Sequence, residues 1–333
     1  MKIALLGVSH WHTPLFLSPL LEEADVEIVA VSDADMLAAN RYAEKLGCKA
    51  FSRYADLCEE TRPDFVFAMA PHADMHDVAD FLIEAGIPFA IEKPVGINAQ
   101  QVARLAAKAE AAGHFAAIPF VFRYSGFFRM LAEIVAGETV HYAGFRFIAG
   151  PPSRYIQAGC AWMLDPSRSG GGSGINLSVH FLDMCRLLWP DTTPHVVSAL
   201  VSNSTAGTDV EDHSLIALGA GQRRCLVETG YLYPAPVGVF DMHFSVRTDR
   251  HYIVANRPGE IEISDMDGKR RTVAATTTNM PHYPTFVSDT LARVRAGRAP
   301  IADLDDMRSV MHLMDQAYRL SGSVPASGRA IAA

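Results

Sequence analysis

Long apolar runs are missing from this 333-residue chain. None approaches the roughly 20 consecutive apolar residues that a membrane-crossing helix needs, so no membrane partner is expected. The first apolar run, "IALLGV", is too short for an export signal and already contains a turn, which places the protein in the cytoplasm. Cysteine is sparse. The five residues Cys48, Cys58, Cys160, Cys185 and Cys225 are odd in number and include no Cys-x-x-Cys pair, which argues against a disulfide framework and a cysteine-based zinc site. Runs of one charge sign are absent as well. The net charge of −8 is spread along the chain and gives no footprint for nucleic acid, so a small-molecule partner is expected.

What is present is a rhythm. Up to residue 121, the strand-like runs "KIALLGV", "EIVAVSD", "DFVFAMA", "PFAIEKP" and "FAAIPFV" alternate with the helical stretches "ADMLAANRYAEKLG", "HADMHDVADFLIEAG" and "NAQQVARLAAKAEAAG". Each helix closes on a glycine suited to a left-handed cap, and the strands are apolar on both faces, as a buried parallel sheet requires. Residues 1–121 therefore read as a doubly wound α/β domain. Beyond them, in residues 122–333, strands follow one another from "HVVSALVSN" to "KRRTVAAT" between helical segments. That grouping predicts an α+β domain on a large, open, mostly antiparallel or mixed sheet.

Glycine is scarce where it is most informative. In "LLGVSHWHTP" the three positions of the dinucleotide fingerprint are held by Gly7, Ser9 and His12. The first glycine makes the turn, the second lets the backbone approach a pyrophosphate, and the third permits close helix packing. Ser9 is small enough for the second task, whereas His12 fails the third, so the helix should sit further off or begin later. Asp33 ends the second strand at about the 20-residue interval expected of the acid that binds an adenosine ribose. Its charge repels a 2′-phosphate and no basic residue follows until Arg41, which favours NAD over NADP. A metal is the competing explanation for His10 and His12, with His72 and His76 at i, i+4 spacing in "PHADMH". No carboxylate or cysteine completes such a set, so no metal is expected and these histidines are placed beside the cofactor or at the helix start.

Two stretches carry candidate chemistry. In "IEKPV", Lys93 follows an inner strand at the sheet edge where ligands gather. It is either a solvated surface lysine or a desolvated one with a lowered pKa that works on a substrate hydroxyl. In "GGGSGINLSVHFLD", helical spacing puts Asn176, His180 and Asp183 on one polar stripe. His180 is either a satisfied core histidine or a proton carrier whose tautomer Asp183 fixes; both versions pair His180 with Asp183.

The Gly7 turn, Asp33, "PHADMH", "EKP", Arg123 after "PFVF", "WMLDPSRSGGG", "NLSVHFLD" and the closing "AYRLSGS" resemble, in this order, the Gfo/Idh/MocA family of nicotinamide-dependent oxidoreductases. The resemblance implies a Rossmann domain followed by an α/β domain whose open sheet forms a homodimer or homotetramer interface. It implies cofactor contacts from Gly7, Ser9, His10, Trp11, His12, Asp33, Pro71, His76, Glu92 and Lys93, and a cis Lys93–Pro94 bond. Lys93 and His180 would flank the nicotinamide. Arg123, Arg154, Tyr155, Trp162, Asn176 and Tyr283 would wall the substrate. Asn176 stands where many members carry Asp; an amide binds a hydroxyl but cannot take its proton, which leaves His180 or Lys93 for that step.

The expected activity is NAD-dependent oxidation of a secondary hydroxyl of a sugar, cyclitol or related polyol, or reduction of the ketone, with His180 as the base. Lys93 polarises the same oxygen. Two alternatives stay open: a redox-neutral cycle on a glycoside that regenerates its NAD, and an NAD-binding ligand sensor without chemistry.

Overall fold

Alternating strands and helices build one parallel sheet from the first 117 residues, and a second, larger sheet follows. The computed structural model describes residues 1–234 and 240–322. In chain order the first unit comprises β1 (Lys2–Leu6), α1 (Thr13–Leu20), β2 (Glu27–Ser32), α2 (Met36–Leu46), β3 (Lys49–Phe51), α3 (Tyr54–Thr61), β4 (Phe65–Ala68), α4 (His72–Glu84), β5 (Phe89–Ile91), α5 (Ala99–Ala112) and β6 (Ala116–Ala117). The strands lie in the order β3-β2-β1-β4-β5-β6, every neighbouring pair parallel. The order reverses between β1 and β4, which opens a crevice at their C-terminal ends. Strand β4 is buried at all four positions, as a sheet covered on both faces demands. Helices α2 and α5 close on Gly47 and Gly113, both with positive φ. Helix α4 ends one residue earlier, on Ala85, with Gly86 taking the positive φ just beyond.

The second unit contains α6 (Gly126–Val135), β7 (Val140–Ile148), α7 (Ser153–Gln157), α8 (Pro166–Ser169), α9 (Val179–Leu188), β8 (His195–Ser202), β9 (His213–Ala220), β10 (Arg223–Gly230), β11 (Asp241–Thr248), β12 (His251–Arg257), β13 (Glu260–Asp265), β14 (Arg270–Ala274), α10 (Tyr283–Arg295) and α11 (Leu304–Leu320). Its strands run β14-β13-β12-β11-β7-β10-β9-β8. The pair β7–β10 is parallel and the rest antiparallel, so the sheet is mixed. One face buries Phe145, Phe147, Phe181 and Phe244 in a single aromatic cluster with α9. The last two helices return to the first unit, α10 packing on α1 and α11 on α5.

Two local features position the site. Gly7, at φ +72°, turns the chain out of β1 so tightly that a Cβ there would lie 1.6 Å from the Met69 carbonyl oxygen. Ahead of α9, residues Gly174–Ser178 form a π-helical turn. Such a turn adds a residue to the helical repeat and is often found where side chains are re-aimed at a functional site.

Candidate active site

Gly7, Ser9, His10, Asp33 and Pro71 border a cleft of about 530 Å³ at the strand-order reversal, joined by Trp162 and Arg168 from the second unit. Each Asp33 oxygen accepts one backbone N–H, from Ser9 (2.6 Å) and from Asp35 (2.8 Å). An ionised carboxylate has about four acceptor positions, so two stay open for a ribose diol. Helix α1 begins only at Thr13, after His12, without a side-chain cap on its first turn. Glycine turn, open helix start and terminal carboxylate form a donor and acceptor set that fits a dinucleotide.

The histidines of this region serve the protein. His10 Nδ1 accepts the His12 backbone N–H (3.1 Å), so the His10 ring carries its proton on Nε2. His12 Nδ1 lies 2.9 Å from Glu92 Oε1. His72 Nδ1 donates to the Ser169 carbonyl (2.7 Å) and its ring meets Trp162 edge-on at 5.0 Å. Burial holds all three below the ordinary imidazole value, His72 at about 3. His76 does not turn inward with His72: it stays partly exposed and pairs loosely with Asp77 at 3.4 Å, one residue further along α4. Four residues apart on a helix share a face only roughly, and His72 alone turns inward. Among the described residues no three potential ligands gather around a metal position.

At the end of β5 the chain turns through the cis Lys93–Pro94 bond. Lys93 is 3% exposed, which removes the surface-lysine reading. Its Nζ donates to both oxygens of Asn176, carbonyl and side chain, each at 2.7 Å. Burial lowers the Lys93 pKa to about 8, the Glu92 charge opposing that shift and Arg154 adding to it. Glu92 is ionised despite burial: His12 and Lys93 hold it at about 2. It also accepts from Tyr283 Oη (3.3 Å) and the Lys93 N–H (3.1 Å).

Asn176 is the hinge of the arrangement. Its amide nitrogen donates to Tyr155 Oη (2.8 Å) and Tyr231 Oη (2.9 Å) while its oxygen holds Lys93. Both amide hydrogens and the amide oxygen are then engaged inside the protein, and the amide orientation follows from the ammonium, which can only donate. Tyr231 lies at the end of β10 and was not foreseen; a lone tyrosine after a strand carries no pattern that distinguishes it.

His180 stands next to this group with its Nδ1 buried and without a hydrogen-bond partner. Burial pushes its pKa well down, and the Lys93 charge adds to the shift. The expected His180–Asp183 pair does not form. Asp183 instead takes Arg123 in a two-pronged ion pair, Nε at 2.7 Å and Nη2 at 2.5 Å. Arg123 is correspondingly a strut and not a substrate wall: it also bonds the Ile301 carbonyl and Asp306, tying the turn at Val121–Tyr124 to α9 and α11. A buried carboxylate gains more from a guanidinium fork than from one imidazole nitrogen. Tyr283 is likewise buried on Glu92 and His12, beneath the site, and Trp162 faces the dinucleotide cleft. Trp11 and Tyr155 stay together, their rings 5.5 Å apart.

Residues 1–119 match the family profile for the Gfo/Idh/MocA oxidoreductases, NAD-binding Rossmann fold. This chain carries that family's NAD-binding domain. Trans-1,2-dihydrobenzene-1,2-diol dehydrogenase of Sus scrofa is 24% identical over 191 residues, 57% of this chain and 56% of that protein. The Xenopus tropicalis enzyme of the same name is 23% identical over 312 residues, 91% and 92% of the two chains. For several curated relatives, the Sus scrofa enzyme included, the match spans only about half of their length (54–56%). Levoglucosan dehydrogenase, solved with NADH and levoglucosan, superposes with a TM-score of 0.81 at 15% identity, covering 97% of each chain, which shows the fold.

Proposed function

We propose that the protein is an NAD-dependent dehydrogenase acting on a secondary hydroxyl of a sugar, cyclitol or related cyclic diol. The observation that carries this reading is the buried Lys93 ammonium, held between the two oxygens of Asn176 beside a His180 ring whose buried Nδ1 has no hydrogen-bond partner. A surface-type lysine kept this dry, at about 8, is matched to proton transfer near neutral pH. A ligand sensor would have no use for it. The names of the similar proteins, a diol dehydrogenase and a sugar dehydrogenase, point to the same chemistry.

NAD, held by the Gly7 turn and Asp33, supplies the acceptor for the hydride. The chain's own residues manage the hydroxyl. Lys93, as the neutral amine, takes the hydroxyl proton as the carbonyl forms, and Asn176 keeps its Nζ in place. His180 donates to or accepts from the same oxygen as a neutral ring. This moves the base role from His180 to Lys93, because His180 has lost the carboxylate that would have raised its basicity and burial disfavours its cation.

NAD is favoured over NADP: Asp33 offers acceptor oxygens and no donor at the ribose position, and Arg53, which borders the same cleft, is paired with Asp56 at 3.5 Å. The five free thiols suit a reducing cytoplasm. Val197, Leu200, Leu226 and Tyr252 are exposed on the large sheet and support a homodimer or homotetramer. The experiment is a panel of sugars, inositols and cyclic diols with NAD, read as NADH absorbance. Steady NADH formation with members of the panel is expected; binding of NAD without any NADH from the whole panel would overturn the reading, and product with NADH held at zero would favour the redox-neutral cycle.

A further inference from the structure

Arg154 stands in this site without a counter-charge. It lies on α7, where its guanidinium carbon is 4.8 Å from the Tyr155 ring centroid, 5.3 Å from that of Tyr231 and 5.9 Å from that of Trp11. Its Nη2 donates to Tyr155 Oη at 2.8 Å. Its Nε is buried with no hydrogen-bond partner. Arg123 has Asp183 and Asp306 as carboxylate partners, but no ion pair reaches Arg154 among the described residues. Residues 235–239 and 323–333, outside that set, contain no Asp or Glu.

The charges around it can be followed group by group. Arg154 and Lys93 are cations near enough for the first to depress the second, and Glu92 is the carboxylate that opposes them. His10, His12, His72 and His180 are kept neutral by burial. With Lys93 as the ammonium two positive groups face one negative, and in either form of Lys93 the guanidinium has no carboxylate of its own, because Glu92 is engaged by His12, Tyr283 and the Lys93 backbone. A guanidinium fixed by three aromatic rings, with free N–H edges, is a preformed fork for a planar anion. Its Tyr155 contact links it through Asn176 to the Lys93 ammonium, so an anion on Arg154 sits in the same site as the reacting hydroxyl.

We propose that the substrate is an anionic polyol, a hydroxylated carboxylate such as a sugar acid or a carboxylated cyclic diol, whose carboxylate is bound by Arg154. The inference rests on the dehydrogenase reading and narrows it. A carboxylate is favoured over a phosphate ester because its two coplanar oxygens match the guanidinium fork and its one negative charge matches the one cation that has no carboxylate of its own, whereas a dianion would bring a second charge with no partner.

The test uses matched pairs on the full-length protein: uronates and aldonates against their parent sugars, carboxylated against plain cyclic diols, with galactose 6-phosphate as the phosphate arm. Turnover is followed as NADH, and binding by the fluorescence of Trp11 and Trp162. The wild type is expected to favour the carboxylate member by about a hundredfold in kcat/KM. Arg154→Gln should remove that ratio, and Arg154→Lys, which keeps the charge and loses the fork, should recover part of it. NAD affinity, measured by calorimetry, should hold in both variants. Neutral polyols turned over as well as their acids, or sugar phosphates preferred to sugar acids, would overturn the inference and leave the dehydrogenase reading standing. Loss of NAD affinity in Arg154→Gln with the acid-to-neutral ratio unchanged would assign the guanidinium to the cofactor's pyrophosphate and also overturn it. Absence of turnover across both members of every pair, with NAD bound, would instead remove the dehydrogenase reading.

Discussion

Lys93 and His180 make opposite demands on pH. With Lys93 as the proposed base, working as the neutral amine, oxidation should gain in kcat/KM as pH rises and level off above about 8, where the ammonium has been lost. Were His180 the base, its depressed pKa would leave it neutral throughout, and the same profile would be flat from about pH 6.5 upward. A pH series of initial rates with saturating NAD separates the two. Both residues were legible in the sequence, Lys93 from its place between a buried strand and a proline, His180 from its stripe. The bond between Lys93 and Asn176 was not, because the partners lie 83 positions apart and no local pattern encodes the pairing. Arg123 illustrates the same limit from the other side: a lone arginine after an apolar run reads equally as a wall or as a strut, and only its partners decide.

Single elements carry the next set of consequences. The fork from Arg123 to Asp183 holds a short turn, α9 and α11 together, so Asp183→Ala leaves a buried guanidinium short of its counter-charge. A loss of about 3–5 kcal/mol is expected, read as a lower denaturant midpoint. The pH profile of the remaining activity should keep its shape, which would shift if Asp183 oriented His180. At the other end of the site, Gly7→Ala forces a Cβ into the Met69 carbonyl and a side chain into positive φ. That variant should lose NAD affinity and stability together, checked by calorimetry and thermal melting. Strands, long helices and their glycine caps were readable from periodicity and turn residues. Strand β3 and helix α3 were missed, since three residues of strand and eight of a weakly patterned helix fall below what a repeat can signal. The π turn was missed for a different reason: an extra residue in the helical repeat leaves every residue type unchanged, so no periodic pattern announces it.

For the whole molecule, the buried neutral histidines set the acid limit. His10, His12, His72 and His180 have folded-state values below their unfolded one, so the unfolded chain binds more protons and stability is lost as pH falls from about 6.5 toward 3, where His72 finally titrates. Glu92, at about 2, adds a further loss below its unfolded value. Melting temperature should therefore fall steadily below pH 6.5; a melting point constant down to pH 5 would contradict buried neutral rings. The two-unit plan, with a parallel sheet followed by a mixed one, was visible in the change of rhythm near residue 121. The return of α10 and α11 to the first unit was not, because the sequence states that those helices exist and says nothing of which surface they cover.

In the proposed mechanism a lysine from the first unit, held by an amide from the second, carries the hydroxyl proton. Single-turnover hydride transfer in Lys93→Met, with NAD affinity measured on the same samples, decides whether it does. A rate lower by about a thousandfold with NAD still bound is expected; a rate equal to that of the wild type would rule Lys93 out as the base.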